Sequence, residues 1–367
     1  MKIRRACQVS KPKTSQQKKS PPKKSKIAEA YAIFDRAEKQ RSASRFIAAI
    51  PLYKEAKKNA RADAELRAEC DLSLGDTYRM VGEFTLAARS YRAAYATSVK
   101  LAEEEMAVDA TVGLGLSLRA TGGYTEALVL FNSALKSYRA VKDSDGTAFV
   151  LWARAGVYRF KGDVQLAMEG FRAARDLFKR IRDSSGVAYS LAGLGGASRV
   201  LGRQKDSFKY YSKANELFVK LGDTFGTAYT HCGVANSMRM QGDFSGSLEH
   251  FRRAKKSYKR IGDRVSYAYT LWGEGTALAM LGRLKTARKR FDTADALFIE
   301  TRDRRGRVYC MISNGQLTAL IDSKAAGVRK LKTALKRAIS LGLKTEAGYA
   351  RDSIAAAEEA VLPLNLA

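Results

Sequence analysis

Histidine occurs twice among these 367 residues, tryptophan twice, cysteine four times and proline five times. Each shortage removes a class of function. Neither His231 nor His250 has metal-ligand spacing around it, and Cys7, Cys70, Cys232 and Cys310 show no paired or Cys-x-x-Cys pattern. Reduced thiols follow, with no disulfide framework and no thiolate metal site. No stretch of 18 apolar residues occurs, so no membrane-spanning helix is expected. There is no phosphate loop, nucleophile elbow or paired set of metal ligands. His231 stands beside Cys232, but adjacent helical residues point about 100° apart and make a poor catalytic pair. His250 reads as a surface residue. The chain is therefore expected to be no enzyme and to use no cofactor or metal.

Acid is also scarce, with 66 Lys and Arg against 37 Asp and Glu, a formal charge of +29. Residues 1–26 hold ten of the bases, no acid, three prolines and four serines. Such a segment has little to bury and reads as a disordered basic tail. It lacks the apolar stretch of a secretory signal, which points to the cytoplasm. "SPPKKSK" (20–26) also reads as a nuclear import signal if the source has a nucleus.

A 40-residue period organises the rest. Seven blocks align without gaps from Leu66, Met106, Gly146, Gly186, Gly226, Ser266 and Gly306, after a looser copy over 27–65. Each block reads as two helices. A glycine suited to a left-handed helix end follows the first, at Gly82, Gly122, Gly162, Gly202, Gly242 and Gly282. The second carries Ala-x-x-x-aromatic-x-x-Ala, as in Ala167, Phe171 and Ala174, or Ala287, Phe291 and Ala294, on one helical face. The first carries a small residue at Gly75, Gly115, Ala155, Gly195, Ala235, Gly275 and Gly315. Because glycine weakens a helix, its recurrence implies a close neighbour there. Asp143, Asp183, Asp223, Asp263 and Asp303 stand where they would cap the next first helix.

The stretch "LGDTYRMVGEFTLAARSYRAA" (74–94) resembles the tetratricopeptide repeat family, with Leu-Gly-x-x-Tyr followed by Gly, Ala, an aromatic and Ala. The 40-residue unit is similar to the variant in the Leu-Gly-Asn-repeat adaptors of spindle orientation. The resemblance implies an all-α, right-handed superhelical solenoid of eight hairpins over 27–361. The copies are 27–65, 66–105, 106–145, 146–185, 186–225, 226–265, 266–305 and 306–345, closed by a capping helix over 346–361 and a short tail over 362–367. It also implies a concave groove lined by first helices that binds peptides. Those adaptors carry an asparagine after the repeated glycine. Here Asp76, Leu116, Gly156, Gly196, Asn236, Thr276 and Gln316 stand there, and only Asn236 matches, so their partners do not carry over.

Positions three, seven and ten residues apart on a first helix share an arc of about 80°. The resemblance puts this arc on the groove side. Its first position holds Glu69, Asp109, Phe149, Tyr189, Tyr229, Tyr269, Tyr309 and Tyr349, its second includes Trp152 and Trp272, and its third is mostly small or polar and includes Asn236. Its fourth is an arginine row: Arg79, Arg119, Arg159, Arg199 and Arg239. Packed helices lie about 8–10 Å apart, and an extended chain advances about 3.3–3.6 Å per residue. One arginine would meet about every third residue of an extended ligand. Planar guanidinium groups suit carboxylates. The expected function is an adaptor holding an acidic, extended protein segment, with self-association open. The rival is single-stranded nucleic acid on the same basic and aromatic residues. "RRAKKSYKR" (252–260), "RKR" (288–290) and "RKLKTALKR" (329–337) extend the basic surface on the second helices.

Overall fold

The structure, a computed structural model, describes residues 26–361 and 363–366. The expected basic tail therefore lies outside the described residues, except for Lys26, which opens the first helix. Seventeen α-helices and no strand are found among the described residues. Eight hairpins run α1 (Lys26–Ser42) with α2 (Phe46–Asn59), α3 (Ala64–Met80) with α4 (Phe84–Lys100), α5 (Glu104–Thr121) with α6 (Tyr124–Ala140), and α7 (Ser144–Lys161) with α8 (Val164–Arg180). They continue with α9 (Ser184–Val200) and α10 (Gln204–Lys220), α11 (Thr224–Met240) and α12 (Phe244–Ile261), α13 (Arg264–Met280) and α14 (Leu284–Glu300), and α15 (Arg304–Ile321) and α16 (Lys324–Ser340). α17 (Lys344–Glu358) follows alone. This is an all-α helical-repeat solenoid.

The chain divides into two compact units, residues 1–157 with 173–186, and residues 158–172 with 187–367. Within the first, α4 packs against both α3 and α5, and α3 touches α5 directly. Within the second, α12 packs against α11 and α13, and first helices again meet, α11 with α13 and α13 with α15.

Local chemistry sets the hairpins. Gly82, Gly122, Gly162, Gly202, Gly242 and Gly282 all have φ between +73° and +93°, where a Cβ would be strained. The chain then folds back, as when the Asp243 amide donates to the Met238 carbonyl at 3.0 Å. The carboxylates of Asp143, Asp223, Asp263 and Asp303 accept from amides three residues on, at 2.8–3.0 Å. Each such cap contributes about 1 kcal/mol.

The core is a file of rings, each held between two small residues. In the first unit Tyr91 is fully buried, and a Cβ on Gly75 would come 2.7 Å from its ring. A Cβ on Gly113 would clash with the same ring from the following repeat. In the second unit Gly195 and Gly233 enclose Tyr211 in the same way, and Ala235 and Gly273 flank Phe251. The glycine on the ring's own first helix is legible in the repeat. The second row (Gly113, Gly193, Gly233 and Gly273) is equally periodic, and the motif reading passes over it. Burying each ring stabilises by about 1.5–3 kcal/mol.

Candidate functional site

The arginine row makes a recurring contact with the next repeat. In the first unit the Arg119 guanidinium lies 5.3 Å from the Trp152 ring and donates to the Ala153 carbonyl at 3.4 Å. It also fills the space over Gly156, where a Cβ would strike its Nη1. In the second unit Arg159 Nη1 sits where a Cβ on Gly196 would be 3.4 Å away, and its guanidinium covers Phe160 at 4.4 Å. Arg239 lies 5.6 Å from the Trp272 ring. Arginine and seat are thus 37 residues apart in Arg119–Gly156 and Arg159–Gly196. Arginine and tryptophan are 33 apart in Arg119–Trp152 and Arg239–Trp272. Arg79 lies 3.7 Å from Asp76 on its own helix.

Arg239 stands apart, since its exposure is 0% although no carboxylate lies within ion-pair distance among the described residues. Its Nη2 donates to Asn236 Oδ1 at 3.0 Å, and its Nε has no hydrogen-bond partner. Burial, with the like charge of Arg199 added, pushes its pKa down to about 9, which leaves it charged at neutral pH. Arg199 is half-buried and likewise meets no carboxylate at ion-pair distance among the described residues. Burial raises the Tyr349 hydroxyl, and the charge of Arg199 is the largest effect opposing that rise. By contrast the neighbouring Arg305, near Phe160 and Tyr309, pairs with the Glu346 carboxylate.

The expected aromatic contacts are mostly turned to inter-repeat packing. Phe149 and Tyr189 are 7% and 5% exposed. Tyr189 donates to Asp223 Oδ2 at 2.9 Å and packs edge-on against Phe218, with ring centroids 4.6 Å apart. Tyr269 does the same with Asp303 at 3.2 Å and Phe298 at 4.7 Å. These hydroxyls brace the carboxylates that cap the next repeat. Trp272 is 6% exposed, with its indole N–H donating to Ser313 at 2.9 Å and its ring 4.5 Å from Tyr309. Tyr229 and Trp152 keep partial exposure. Phe149 and Trp152 adjoin one another at 5.7 Å, as do Tyr211 and Tyr229 at 6.2 Å.

What covers Arg239 is the segment beyond α17. Asn365 Oδ1 accepts from Arg239 Nη1, and Asn365 Nδ2 donates to the Arg239 carbonyl at 2.9 Å. The Leu364 amide donates to Gln316 Oε1 at 3.2 Å, and Gln316 Nε2 donates to Ser353 at 2.7 Å. Leu366 is 4% exposed and joins the core around Trp272, Tyr309 and Leu317. Residues 362–367 read from sequence as a short tail after the capping helix; 363–366 are instead packed into the second unit. A signal was present, because residues 360–367 have no charged side chain in a chain whose formal net charge is +29.

Two further expectations need correction or qualification. His250 is no plain surface residue: it is half-buried, with Nδ1 3.1 Å from Nδ1 of His231, and burial lowers both imidazoles, His231 to about 4. The basic run 252–260 is partly neutralised, with Arg252 and Arg253 on Glu249 at 2.7–2.8 Å and Lys255 on Glu274 at 2.6 Å. Among the described residues no cluster of three metal-ligating side chains exists, and no helix is long and apolar enough to cross a membrane. Cys70, Cys232 and Cys310 are free thiols, and Cys7 lies outside the described residues.

Residues 107–180 match the tetratricopeptide repeat profile. The fold is similar to that of a Rap protein complexed with competence and sporulation factor, at 13% identity and TM-score 0.58, covering 91% of this chain and 99% of that one. It is also similar to the Rap conjugation gene regulator of plasmid pLS20 in complex with the Phr* peptide, at 15% identity, TM-score 0.64 and 77% of each chain. A third similar structure is a signal-transduction ATPase with numerous domains and a tetratricopeptide repeat sensor, from Pyrococcus horikoshii. Its identity is 14% and its TM-score 0.58, over 91% of this chain and 50% of that one. No curated protein sequence matches the chain. These likenesses show the fold, an all-α helical-repeat solenoid, within which residues 107–180 match the tetratricopeptide repeat.

Proposed function

We propose that this chain is a protein-interaction scaffold whose first helices hold an extended, acidic partner segment in a groove. The observation that carries the reading is the pair Arg199 and Arg239. Two guanidinium groups act on one another with no carboxylate at ion-pair distance among the described residues, one of them fully buried. A buried cation without a counter-charge is costly, and a carboxylate supplied from outside would relieve that cost. The repeat fold supports the reading, as does its likeness to two proteins solved in complex with a factor and a peptide. The 40-residue unit and Asn236 keep the likeness to Leu-Gly-Asn-repeat adaptors at the level of the repeat and point to no particular partner. Tyr229, in the same compact unit as both arginines, keeps exposed surface for an apolar side chain of the ligand.

The test uses a library of extended peptides with Asp or Glu at every third position, and the same library with Asn or Gln there. Binding is measured by fluorescence anisotropy. The acidic library should bind at least tenfold more tightly, and Arg199→Glu should remove that preference while the melting temperature holds. Equal binding of both libraries, or preferential binding of single-stranded nucleic acid, would overturn the reading.

A further inference from the structure

Arg239 is buried by this chain's own residues 363–366, and the manner of burial is that of a ligand. The carboxamide of Asn365 engages one residue at both ends, accepting from the guanidinium and donating to the backbone carbonyl, 126 positions away in sequence. Gln316 takes the Leu364 amide, as a side chain takes the backbone of an extended peptide. Leu366 fills an apolar position among first-helix residues of α13 and α15. Yet the fit is incomplete: Asn365 brings no charge to Arg239, whose Nε stays without an acceptor. The contrast with Arg305, whose charge is met by Glu346, shows what a full match would contain.

We propose that residues 363–366 are a displaceable, built-in occupant of the Arg239 site. A partner displaces them by presenting a carboxylate where the chain itself presents the Asn365 amide, with apolar side chains on either side. The inference rests on the scaffold reading for its partner, and on the contacts just described for its occupant. A tethered occupant competes at an effective concentration in the millimolar range for a short link. It therefore sets a threshold: a weak ligand fails to enter, and a ligand that pairs with Arg239 succeeds. The apparent affinity of any such ligand is reduced by the fraction of molecules in which the segment is seated.

The experiment compares the full chain with its Leu364→Asp, Leu366→Asp double variant. Two synthetic peptides spanning residues 360–367 serve as probes, one with the native sequence and one with Asp at the Asn365 position. Hydrogen exchange should show the backbone amides at positions 364 and 366 protected in the wild type and unprotected in the variant, whose helicity is unchanged. The native peptide should bind the variant at least tenfold more tightly than the wild type. The Asp peptide should displace the segment from the wild type and release its amides to exchange. Wild-type amides exchanging at the free-chain rate would overturn the proposal. So would equal affinity of the native peptide for both proteins, and so would protected amides that neither peptide releases, which would make the segment a fixed part of the core. If the segment is protected and displaced while the acidic library shows no preference, the scaffold reading fails and the built-in occupant stands.

Discussion

Tyr91 shows how little freedom a single core side chain has here. Its hydroxyl donates to Asp76 at 2.7 Å, and its ring is closed in by Gly75 and Gly113. The ring cannot swing away from a new methyl group without breaking that buried hydrogen bond. Gly113→Ala should therefore destabilise by about 1–3 kcal/mol through overpacking. Gly348, in α17, has nothing within 4 Å of an added Cβ, so Gly348→Ala should stabilise by up to about 1 kcal/mol through helix propensity. Urea midpoints of the two variants should move in opposite directions, and a shift of the same sign would contradict the packing described. Sequence periodicity exposes such residues only in part. The arginine row is visible in it, but a period cannot say whether a guanidinium meets a ligand or the next repeat. Arg119 and Arg159 spend theirs over Gly156 and Gly196, while Arg239 is covered by a segment outside the repeat altogether.

Helix ends are the most legible elements, because caps and left-handed glycines are local chemistry. All six hairpin glycines have positive φ, and the expected caps Asp143, Asp223, Asp263 and Asp303 make their hydrogen bonds. The joint between repeats is less uniform. Gly222, Gly262 and Gly342 occupy the left-handed position after a second helix, whereas Ala102, Lys142, Arg182 and Arg302 hold the same conformation with a Cβ, at φ near +55° to +59°. A non-glycine residue in that region costs about 1–2 kcal/mol. Glycine's greater freedom in the unfolded chain offsets part of any gain. Lys142→Gly and Arg182→Gly, both at exposed sites, should each raise stability by about 0.5–1 kcal/mol, read as an increase in melting temperature. A decrease in both would mean that these side chains make contacts that outweigh the backbone strain.

At the scale of the molecule, the seventeen helices of the described residues follow from one repeating pattern, and the division into two compact units does not. The period runs through the boundary unchanged, so nothing in the motif marks it. Trp152 belongs to the first unit and Trp272 to the second, which permits a direct measurement. In repeat proteins stability is a sum over repeats and their interfaces, and cooperativity can break between segments. Single-tryptophan variants Trp152→Phe and Trp272→Phe should report different urea midpoints by fluorescence, and coincident transitions would show one cooperative block. The seating of an arginine on a glycine 37 residues downstream has a consequence for how such a chain can change over evolutionary time. A lesion at Gly156 would be felt first by the Arg119 guanidinium of the preceding copy, and one at Gly196 by the Tyr211 hydroxyl and then by Arg159. Copies can therefore be gained or lost in whole units of forty, but the two ends of each seat must be inherited together.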